Sequence, residues 1–407
     1  MEKRRQALEN YKRNLETYLK DRRAAASVIP HQENRLPTSK GRLTFVIYKI
    51  SAGGAQRVLT LLANELCAKG WSVTVLTFDN GSEPPFFELH SGVQHEPLSL
   101  MREQGGWWKT VKVQFLRPWL LRRAIRKSRP DAVIAFIDLT NILTLVATVG
   151  LKIPVIISER GNPDFSLMGK FWLLLRQTVY KRSARLVLQT RDACDFFSSS
   201  IPKGIIPNPV LVPEYSVPVL KSETNSKTLM TMGGLYALKG FDLLLKAFAP
   251  LCDKFPDWVL EIWGEGVQKE ALENLRDELG LRERVRFPGL TKEPHKTMSQ
   301  ADIFVLSSRS EGFPNVLGEA MACGLPVVSF DCHSGPSELI QDGVNGLLVP
   351  PENIQELSSS LERLLASVEL RKSLGEQARK ITESYSLDKI IQSWEELIGE
   401  VVHEHKI

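Results

Sequence analysis

The sequence predicts an α/β protein made of two Rossmann-like domains that face each other across a cleft. Its 407 residues exceed what one compact core usually holds, so the length favours two domains. From Leu43 the chain alternates apolar strands with amphipathic helices, and after a proline-rich stretch the same alternation starts again. Strands that are apolar along their whole length, connected through helices, are typical of a parallel sheet covered on both faces.

The composition fits a globular protein of a reducing compartment. Hydrophobic residues make up 43% and charged residues 24%, which excludes a disordered or fibrous chain. The five cysteines are scattered and form no C-x-x-C pair, so we expect reduced thiols and no structural zinc. The N-terminus, MEKRRQALENYKRNL, lacks the apolar run of a signal peptide. We therefore expect a cytoplasmic protein.

Residues 1 to about 27 are predicted to form a helix outside the main fold. Leu8, Tyr11, Leu15 and Tyr18 lie on one stripe of it, among many Lys and Arg residues. This stripe is compatible with a short coiled coil, a membrane-surface helix or a cap on the following domain. A second apolar stretch, residues 131–158, is interrupted by polar residues, and we interpret it as a buried strand, a short helix and another buried strand.

Each half opens on the same pattern. LTFVIY, SAGGA and QRVLTLLANELCAKG give a strand, a glycine-rich turn and a helix, followed by the strand WSVTVLTF. In the second half TLMTMGGL, the helix FDLLLKAFAPLCDKF and WVLEIWG repeat this order. The proline-rich residues 205–227 between them are typical of a linker. We predict a helical extension at 1–40, Rossmann-like domains at 41–212 and 213–385, and a C-terminal helix at 386–407 that packs back on the first domain.

The most informative stretch is SSRSEGFPNVLGEAMACGLPVVSF. It holds Glu311 on a loop after a predicted strand and Glu319 inside a helix that begins near Asn315. A helix N-terminus presents backbone N–H groups and a positive dipole end, so the turn at 314–317 can receive a diphosphate. Glu311 would then lie by sugar hydroxyls, and Glu319 could reach ribose hydroxyls; the alternative is two solvated surface carboxylates.

This stretch resembles the E-x7-E motif of the retaining GT-B glycosyltransferases of family four. The resemblance extends to FDCHSGPSELIQDGVNGLLVP and to GGAQRV, and it covers residues 43–385. Within the family it is greatest to bacterial transferases that build lipid-linked oligosaccharide, capsule or exopolysaccharide, such as the N-acetylgalactosamine and amylovoran-type transferases. It implies a UDP-sugar donor, a lipid-linked or glycan acceptor and no cofactor. The donor-binding residues that it implies are Gly53, Gly54, Gly234, Arg286, Phe287, Arg309, Gly312, Phe313, Pro314, Asn315, Val316, Leu317 and Glu319.

By the same resemblance Glu311, Lys239 and Arg160 are the catalytic residues. Lys239 occupies the lysine of the family pattern G-R-L-x-x-x-K-G, where its charge would meet the leaving diphosphate. The arginine of that pattern is Gly234 here, so Arg309 or Arg160 would have to compensate, or donor binding is weakened. Arg160, in ISERGNP, stands where relatives often have a histidine and cannot act as a base, so we assign it to a substrate or phosphate contact.

The resemblance further implies front-face attack, in which the departing phosphate takes the acceptor proton. No D-x-D or histidine cluster with metal spacing follows a predicted strand, so we expect chemistry without a metal. Gly234 leaves a second interpretation open, namely a catalytically silent relative that binds nucleotide and serves as a scaffold in polysaccharide assembly.

Residues 101–130 are strongly basic, with nine Lys or Arg against one acidic residue. Tryptophan among basic residues on a helix is typical of a membrane-interface anchor, so we predict a peripheral protein on the anionic inner face of the membrane. A solvated basic helix whose tryptophans pack on the domain, or a nucleic-acid site, are the alternatives; we expect no nucleic acid partner. The predicted membrane or acceptor contacts are Trp107, Trp108, Lys112, Trp119, Arg122 and Arg123.

Overall fold

The computed structural model describes residues 40–51, 53–100, 107–161, 169–211, 227–333 and 335–405, and of residues 107–115 only the backbone. The predicted N-terminal helix and most of the predicted linker lie outside these residues. The chain forms two compact α/β units. The first runs to Gln189 and includes Cys194–Ile206 and the chain from Ile391; the second comprises Thr190–Ala193 and Pro207–Ile390.

The first unit is built on a sheet of seven parallel strands in the order β3-β2-β1-β4-β5-β6-β7. The strands are β1 Arg42–Ile47, β2 Ser72–Thr77, β3 Gln94–Pro97, β4 Ala132–Phe136, β5 Val155–Ser158, β6 Arg185–Leu188 and β7 Lys203–Ile205. The helices along this part of the chain are α1 Gly54–Ala68, α2 Trp107–Ser128, α3 Asp138–Ala147, α4 Lys170–Val179 and α5 Arg191–Phe196, with a 3-10 turn at Tyr180–Arg182.

The prediction of a parallel sheet is confirmed, and the residue pattern explains it. Every residue of β4 and β5 is buried, as in a sheet that helices cover on both faces. The apolar stretch 131–158 forms β4, α3 and β5, as predicted. The order of strands reverses between β1 and β4, and at such a point loops from the carboxyl ends of the strands diverge and leave room for a ligand. None of the helices within the described ranges combines the length and apolar character needed to cross a bilayer.

The second unit contains six parallel strands in the order β10-β9-β8-β11-β12-β13. They are β8 Lys227–Met232, β9 Trp258–Trp263, β10 Val285–Gly289, β11 Ile303–Leu306, β12 Val327–Phe330 and β13 Leu347–Val349. The remaining helices are α6 Phe241–Phe248, α7 Lys269–Glu278, α8 Pro294–Met298, α9 Asn315–Ala322, α10 Pro336–Leu339, α11 Ile354–Ala366, α12 Val368–Ala378, α13 Ile381–Ser384 and α14 Leu387–Glu404, with 3-10 turns at Ala237–Lys239 and Ala249–Leu251.

The predicted helix over FDLLLKAFAPLCDKF is shorter than expected. α6 ends at Phe248 and continues as the 3-10 turn at Ala249–Leu251, which contains Pro250. Proline lacks the N–H that an α-helix needs, so the helical bonding pattern tightens there. Leu244 and Phe248 of α6 are buried in the core of this unit, which also contains Trp258.

A tryptophan of α14 belongs to the core of the first unit. Trp394 is fully buried, and its ring stacks on Phe136 of β4 with centroids 6.0 Å apart. The guanidinium of Arg160 lies over both rings, 4.7 Å from the Phe136 centroid and 5.6 Å from the Trp394 centroid. The last helix is thereby fixed against the carboxyl end of β4.

We expect Trp394→Ala to lower the free energy of unfolding by about 3–5 kcal/mol, because it opens a cavity in a closed core. The matched control is Trp119→Ala, whose side chain is 57% exposed in the wild-type protein. That substitution should change stability by less than about 0.5 kcal/mol in urea titrations. Equal effects of the two substitutions would show that Trp394 is not a core residue.

A polar cluster is buried beneath the carboxyl end of β5. Glu159 accepts a hydrogen bond from the hydroxyl of Tyr180 and another, of 3.4 Å, from Nδ2 of Asn141. The same Nδ2 donates to the backbone carbonyl of Ser158 at 3.1 Å. Burial raises the pKa of Glu159 from 4.5 to about 7, the hydrogen bond from Tyr180 opposes this, and the negative charge of Asp138 adds to it.

The raised pKa predicts a pH-dependent stability. Because the folded state holds the Glu159 proton more tightly than the unfolded chain does, its contribution is full below the unfolded value of 4.5 and is lost as pH rises through about 7. The unfolding free energy of the wild type, relative to that of Glu159→Gln, should therefore fall by about 3 kcal/mol between about pH 4.5 and about pH 8. A constant difference would contradict the assignment.

Candidate active site

Lys239 and Glu311 form an ion pair at the carboxyl edge of the second sheet. Lys239 ends the 3-10 turn that follows β8, and Glu311 lies on the loop that follows β11, the neighbouring strand. Their Nζ and Oε1 atoms are 2.6 Å apart, and Ser308 Oγ donates to the same Oε1 at 2.6 Å. Only 9% of the Glu311 side chain is exposed, and Lys239 and Ser308 both contact its Oε1.

Gly240 allows the loop after β8 to lie close to the loop after β11. Gly240 has a φ of 61°, and a Cβ there would lie 1.9 Å from the carbonyl oxygen of Ser307. Any side chain at this position would therefore collide with the backbone that follows β11. Ser307 Oγ also donates to the carbonyl of Lys239 at 3.1 Å. Because Gly240 permits this close approach, Lys239, the residue before it, can contact Glu311.

The helix predicted near Asn315 is present as α9, which begins directly after Pro314. The Asn315 side chain accepts a hydrogen bond of 2.8 Å from Nδ2 of Asn208. A Cβ at Gly335 would lie 2.8 Å from Pro314 and 3.6 Å from Cβ of Glu311, so the loop before α10 approaches this turn closely. Of the first N–H groups of α9, that of Asn315 donates to the carbonyl of Phe313 at 2.9 Å and that of Leu317 donates to the carbonyl of Pro314 at 3.0 Å. The helix therefore offers a ligand chiefly its positive dipole end, which begins four residues after Glu311 in the sequence.

Most side chains near the start of α9 are buried in the core of the unit. Phe313 and Leu317 are buried in the apolar core of the unit, and Val316 packs partly against it, so only their backbone groups can face a ligand. Gly312 presents no side chain at all. Glu319 lies within α9 and is 8% exposed.

Glycines line the ends of three adjacent strands, β10, β9 and β8. A Cβ at Gly264, after β9, would lie 1.8 Å from the carbonyl oxygen of Gly233, and the N–H of Gly264 donates to the carbonyl of Gly289 at 2.8 Å. At Gly234 a Cβ would lie 2.5 Å from the ring of Tyr236, which is 54% exposed. The space beside Gly234 is therefore filled by the Tyr236 ring, a feature that no sequence motif indicated.

Arg309, one of the two cations considered as a replacement for the missing arginine, is paired with acidic side chains. Its guanidinium makes a bidentate pair with Asp242, at 2.8 and 2.7 Å, and Nε bonds Glu352 at 3.0 Å. A further bond of 2.7 Å goes to the carbonyl of Ala237. These bonds, chiefly the one to Asp242, raise the pKa of Arg309. Arg309 thus fixes the turn that carries Lys239.

Arg286 and Phe287, two of the predicted donor-binding residues, lie on the edge strand β10. Arg286 is mostly exposed, and its Nη1 is 3.8 Å from Oε1 of Glu261. Phe287 packs against the core of the unit, and the guanidinium of Arg276 lies 5.8 Å from its ring centroid. Backbone groups at the exposed side of β10 are what remains accessible to a base here.

In the first unit the predicted residues lie at the carboxyl ends of β1 and β5. Gly53 precedes α1, which begins at Gly54, and a Cβ at Gly53 would lie 2.4 Å from the side chain of Gln56. Arg160 follows β5 and is stacked on Phe136 and Trp394. Burial lowers the pKa of Arg160 to about 9, which leaves it protonated at neutral pH.

The predicted membrane helix is α2, and its described side chains differ in exposure and in hydrogen bonding. Trp107, Trp108 and Lys112 lie outside the described side chains. Trp119 and Arg123 are exposed. Arg122 is half-buried, and its Nη1 donates to the carbonyls of Ala147 and Val149 at 2.9 and 2.6 Å and so caps the end of α3; its membrane or acceptor contact stays a prediction.

Comparison with known proteins agrees with this architecture. A model of the glycosyl transferases of group 1 matches residues 216–381, and a model of the glycosyl transferase 4-like domain matches residues 53–201. The chain is 30% identical over 362 residues to the Campylobacter jejuni GalNAc-alpha-(1->4)-GalNAc-alpha-(1->3)-diNAcBac-PP-undecaprenol alpha-1,4-N-acetyl-D-galactosaminyltransferase, a match that covers 88% of this chain and 99% of that protein.

Solved structures show the same fold. Sucrose-phosphate synthase from Thermosynechococcus elongatus superposes with a TM-score of 0.77 at 18% identity, covering 90% of this chain and 100% of that one. Anabaena HepE, solved in complex with UDP and glucose, gives a TM-score of 0.70 at 18% identity, covering 88% and 99%. Two parallel sheets, the strand-end motifs and these matches together show that the chain belongs to the GT-B glycosyltransferases of family four.

Proposed function

We propose that the protein transfers a hexose or N-acetylhexosamine from a UDP-sugar to a lipid-linked or polysaccharide acceptor, with retention of the anomeric configuration and without a metal. It acts as a peripheral protein on the cytoplasmic face of the membrane. The observation that carries the proposal is the partly buried Lys239–Glu311 pair at the carboxyl edge of the second sheet, with Glu311 on the loop that leads into the N-terminus of α9.

This arrangement suits a departing nucleoside diphosphate. Negative charge develops on the diphosphate as the bond to the anomeric carbon breaks, and Lys239 together with the positive dipole end of α9 stabilises it. Glu311, paired with Lys239, accepts hydrogen bonds from sugar hydroxyls. Glu319, inside α9, is assigned to the ribose.

The transfer step needs no base from the protein. The acceptor oxygen bonds to the anomeric carbon as the bond from that carbon to the UDP oxygen breaks. The acceptor proton passes to the departing diphosphate oxygen, so that UDP and the glycosylated acceptor are the products. Arg160, held by Phe136 and Trp394, is assigned to a phosphate group of a substrate, because a stacked and protonated guanidinium is fixed for such a contact.

The relatives support the choice of donor and acceptor. The name of the Campylobacter jejuni protein gives a PP-undecaprenol-linked glycan as its acceptor. HepE was solved with UDP and glucose. A uridine nucleotide and a lipid diphosphate are both anionic, which agrees with the cationic groups Lys239 and Arg160.

We expect Lys239→Met and Glu311→Gln each to lower kcat/KM for sugar transfer by about a hundredfold or more, because each removes a charge that the transition state needs. The assay is UDP release from a panel of UDP-sugars with a short-chain polyprenyl diphosphate sugar as acceptor. Chelation with EDTA should leave the wild-type rate unchanged.

The matched control is Lys254→Met, which breaks an exposed ion pair with Glu362 in the same unit. It should keep full activity, since exposed pairs contribute little to stability and none of this charge faces the site. If Lys239→Met remains as active as Lys254→Met, the proposed role of the pair is wrong.

Gly234 favours a second candidate function, a silent relative that binds nucleotide within a polysaccharide assembly complex. The family arginine is missing at this position, and the Tyr236 ring lies where a side chain would begin. A folded protein that binds UDP and releases none from any UDP-sugar would support this alternative.

The contact between Gly234 and Tyr236 predicts coupled substitutions. Gly234→Arg alone should weaken UDP binding severalfold in calorimetric titrations, because its Cβ would overlap the Tyr236 ring. With Tyr236→Ala added, the new arginine gains room and UDP binding should recover to the wild-type value or above it. If the effects of Gly234→Arg and Tyr236→Ala on UDP affinity simply add, the Tyr236 ring does not restrict the side chain at position 234.

A further inference from the structure

Helix α4 presents an apolar face to solvent. Phe171 is 68% exposed and Leu174 is 66% exposed, and their spacing of three places them on one side of the helix. Thr178, exposed as well, continues the same stripe. Single exposed apolar residues are ordinary on a protein surface, but two large ones together on one helix face call for an explanation.

The helix cannot roll to bury these side chains. Arg176, on the opposite side, is buried, and its guanidinium lies over the rings of Phe196 and Phe197, 5.2 and 5.6 Å from their centroids. Directly after α4, the buried hydroxyl of Tyr180 donates to Glu159. The C-terminal part of the helix is thus anchored to the fold, with Phe171 and Leu174 directed outward.

The surroundings of this face are basic. No acidic residue occurs in the sequence between Asp164 and Asp192. Lys170 at the start of α4 and Lys181 and Arg182 just beyond its end are exposed. We call the surface formed by Lys170, Phe171, Leu174, Lys181 and Arg182 the α4 face. Apolar side chains flanked by cations complement an anionic bilayer, whose headgroups attract the charges while the apolar side chains enter the boundary layer.

The α4 face continues into the predicted membrane helix. α3 packs against both α2 and α4, so the three helices form one layer on the sheet of the first unit. On α2, Leu116 is 48% exposed and Trp119 is 57% exposed. Exposed apolar side chains and cations therefore occur on two helices of the same layer.

We propose that the α4 face is a membrane-docking surface, which inserts Phe171 and Leu174 into the headgroup boundary of an anionic bilayer beside the exposed part of α2. The proposal deepens the proposed function, since a lipid-linked acceptor would be met at the same surface. Its test does not depend on sugar transfer, because vesicle binding is measured without a UDP-sugar.

The test is flotation of the full chain with vesicles of phosphatidylcholine mixed with phosphatidylglycerol, and with vesicles of phosphatidylcholine alone. We expect the wild type to float with the anionic vesicles, and Phe171→Ser with Leu174→Ser to lower its partition coefficient about tenfold or more. Lys181→Glu with Arg182→Glu should lose the preference for anionic vesicles.

Controls in the second unit separate docking from general surface effects. Val344→Ser with Val368→Ser removes two side chains that are each 44% exposed, and Lys372→Glu with Lys380→Glu reverses two exposed charges. Both pairs should float like the wild type. UDP release with a water-soluble acceptor should be unchanged in the Phe171 and Leu174 variant, so loss of flotation with intact turnover identifies docking as the affected step.

Three outcomes would overturn the proposal. The first is a wild type that floats with neither kind of vesicle. The second is an α4-face variant that floats as well as the Val344 and Val368 control, in which case Trp119→Ser would show whether α2 alone docks. The third is a wild type that binds single-stranded RNA in place of vesicles. A wild type that docks but turns over no donor would support this surface and contradict the proposed function.

Discussion

The ion pair between Lys239 and Glu311 is the interaction on which the rest of the site depends. The Glu311 side chain is 9% exposed, and the lysine that pairs with it comes from the loop of the adjacent strand. Register fixes the two loops, because β8 and β11 pair Leu229 with Ile303 and Met230 with Phe304. Parallel strands in that register end side by side. Lys239 and Glu311, on the loops after these two strands, are therefore brought close together.

Charges around this pair have separate roles. Arg309 bonds Asp242, Glu352 and the backbone carbonyl of Ala237, so it holds the turn before Lys239 in place. The Lys239 side chain is 29% exposed. At position 234, where the family pattern has an arginine, the Tyr236 ring fills the space. Among the described residues of this site, Lys239 is the cation that we assign to the diphosphate.

Local patterns predicted the fold and the main pair, whereas contacts between distant segments escaped them. Apolar runs alternating with amphipathic helices fix a parallel sheet, and motifs at the ends of adjacent strands must meet, so Lys239 and Glu311 were expected together. The hydrogen-bond partners of Arg309 and Arg122 were not predicted, because a basic residue in a motif does not reveal which carbonyls or carboxylates surround it. The Glu159 cluster joins β5, α3 and the turn at Tyr180, and the Trp394 stack joins β4 to α14. No regular sequence spacing predicts either contact, because the residues come from segments far apart in the chain.

The most direct test of the central claim is a crystal structure of the chain with bound UDP. The account predicts the diphosphate within hydrogen-bonding distance of Lys239 Nζ and of the first backbone N–H groups of α9, with the Lys239–Glu311 contact retained or exchanged for the ligand. A diphosphate bound elsewhere, with Lys239 and Glu311 still paired only to each other, would contradict it.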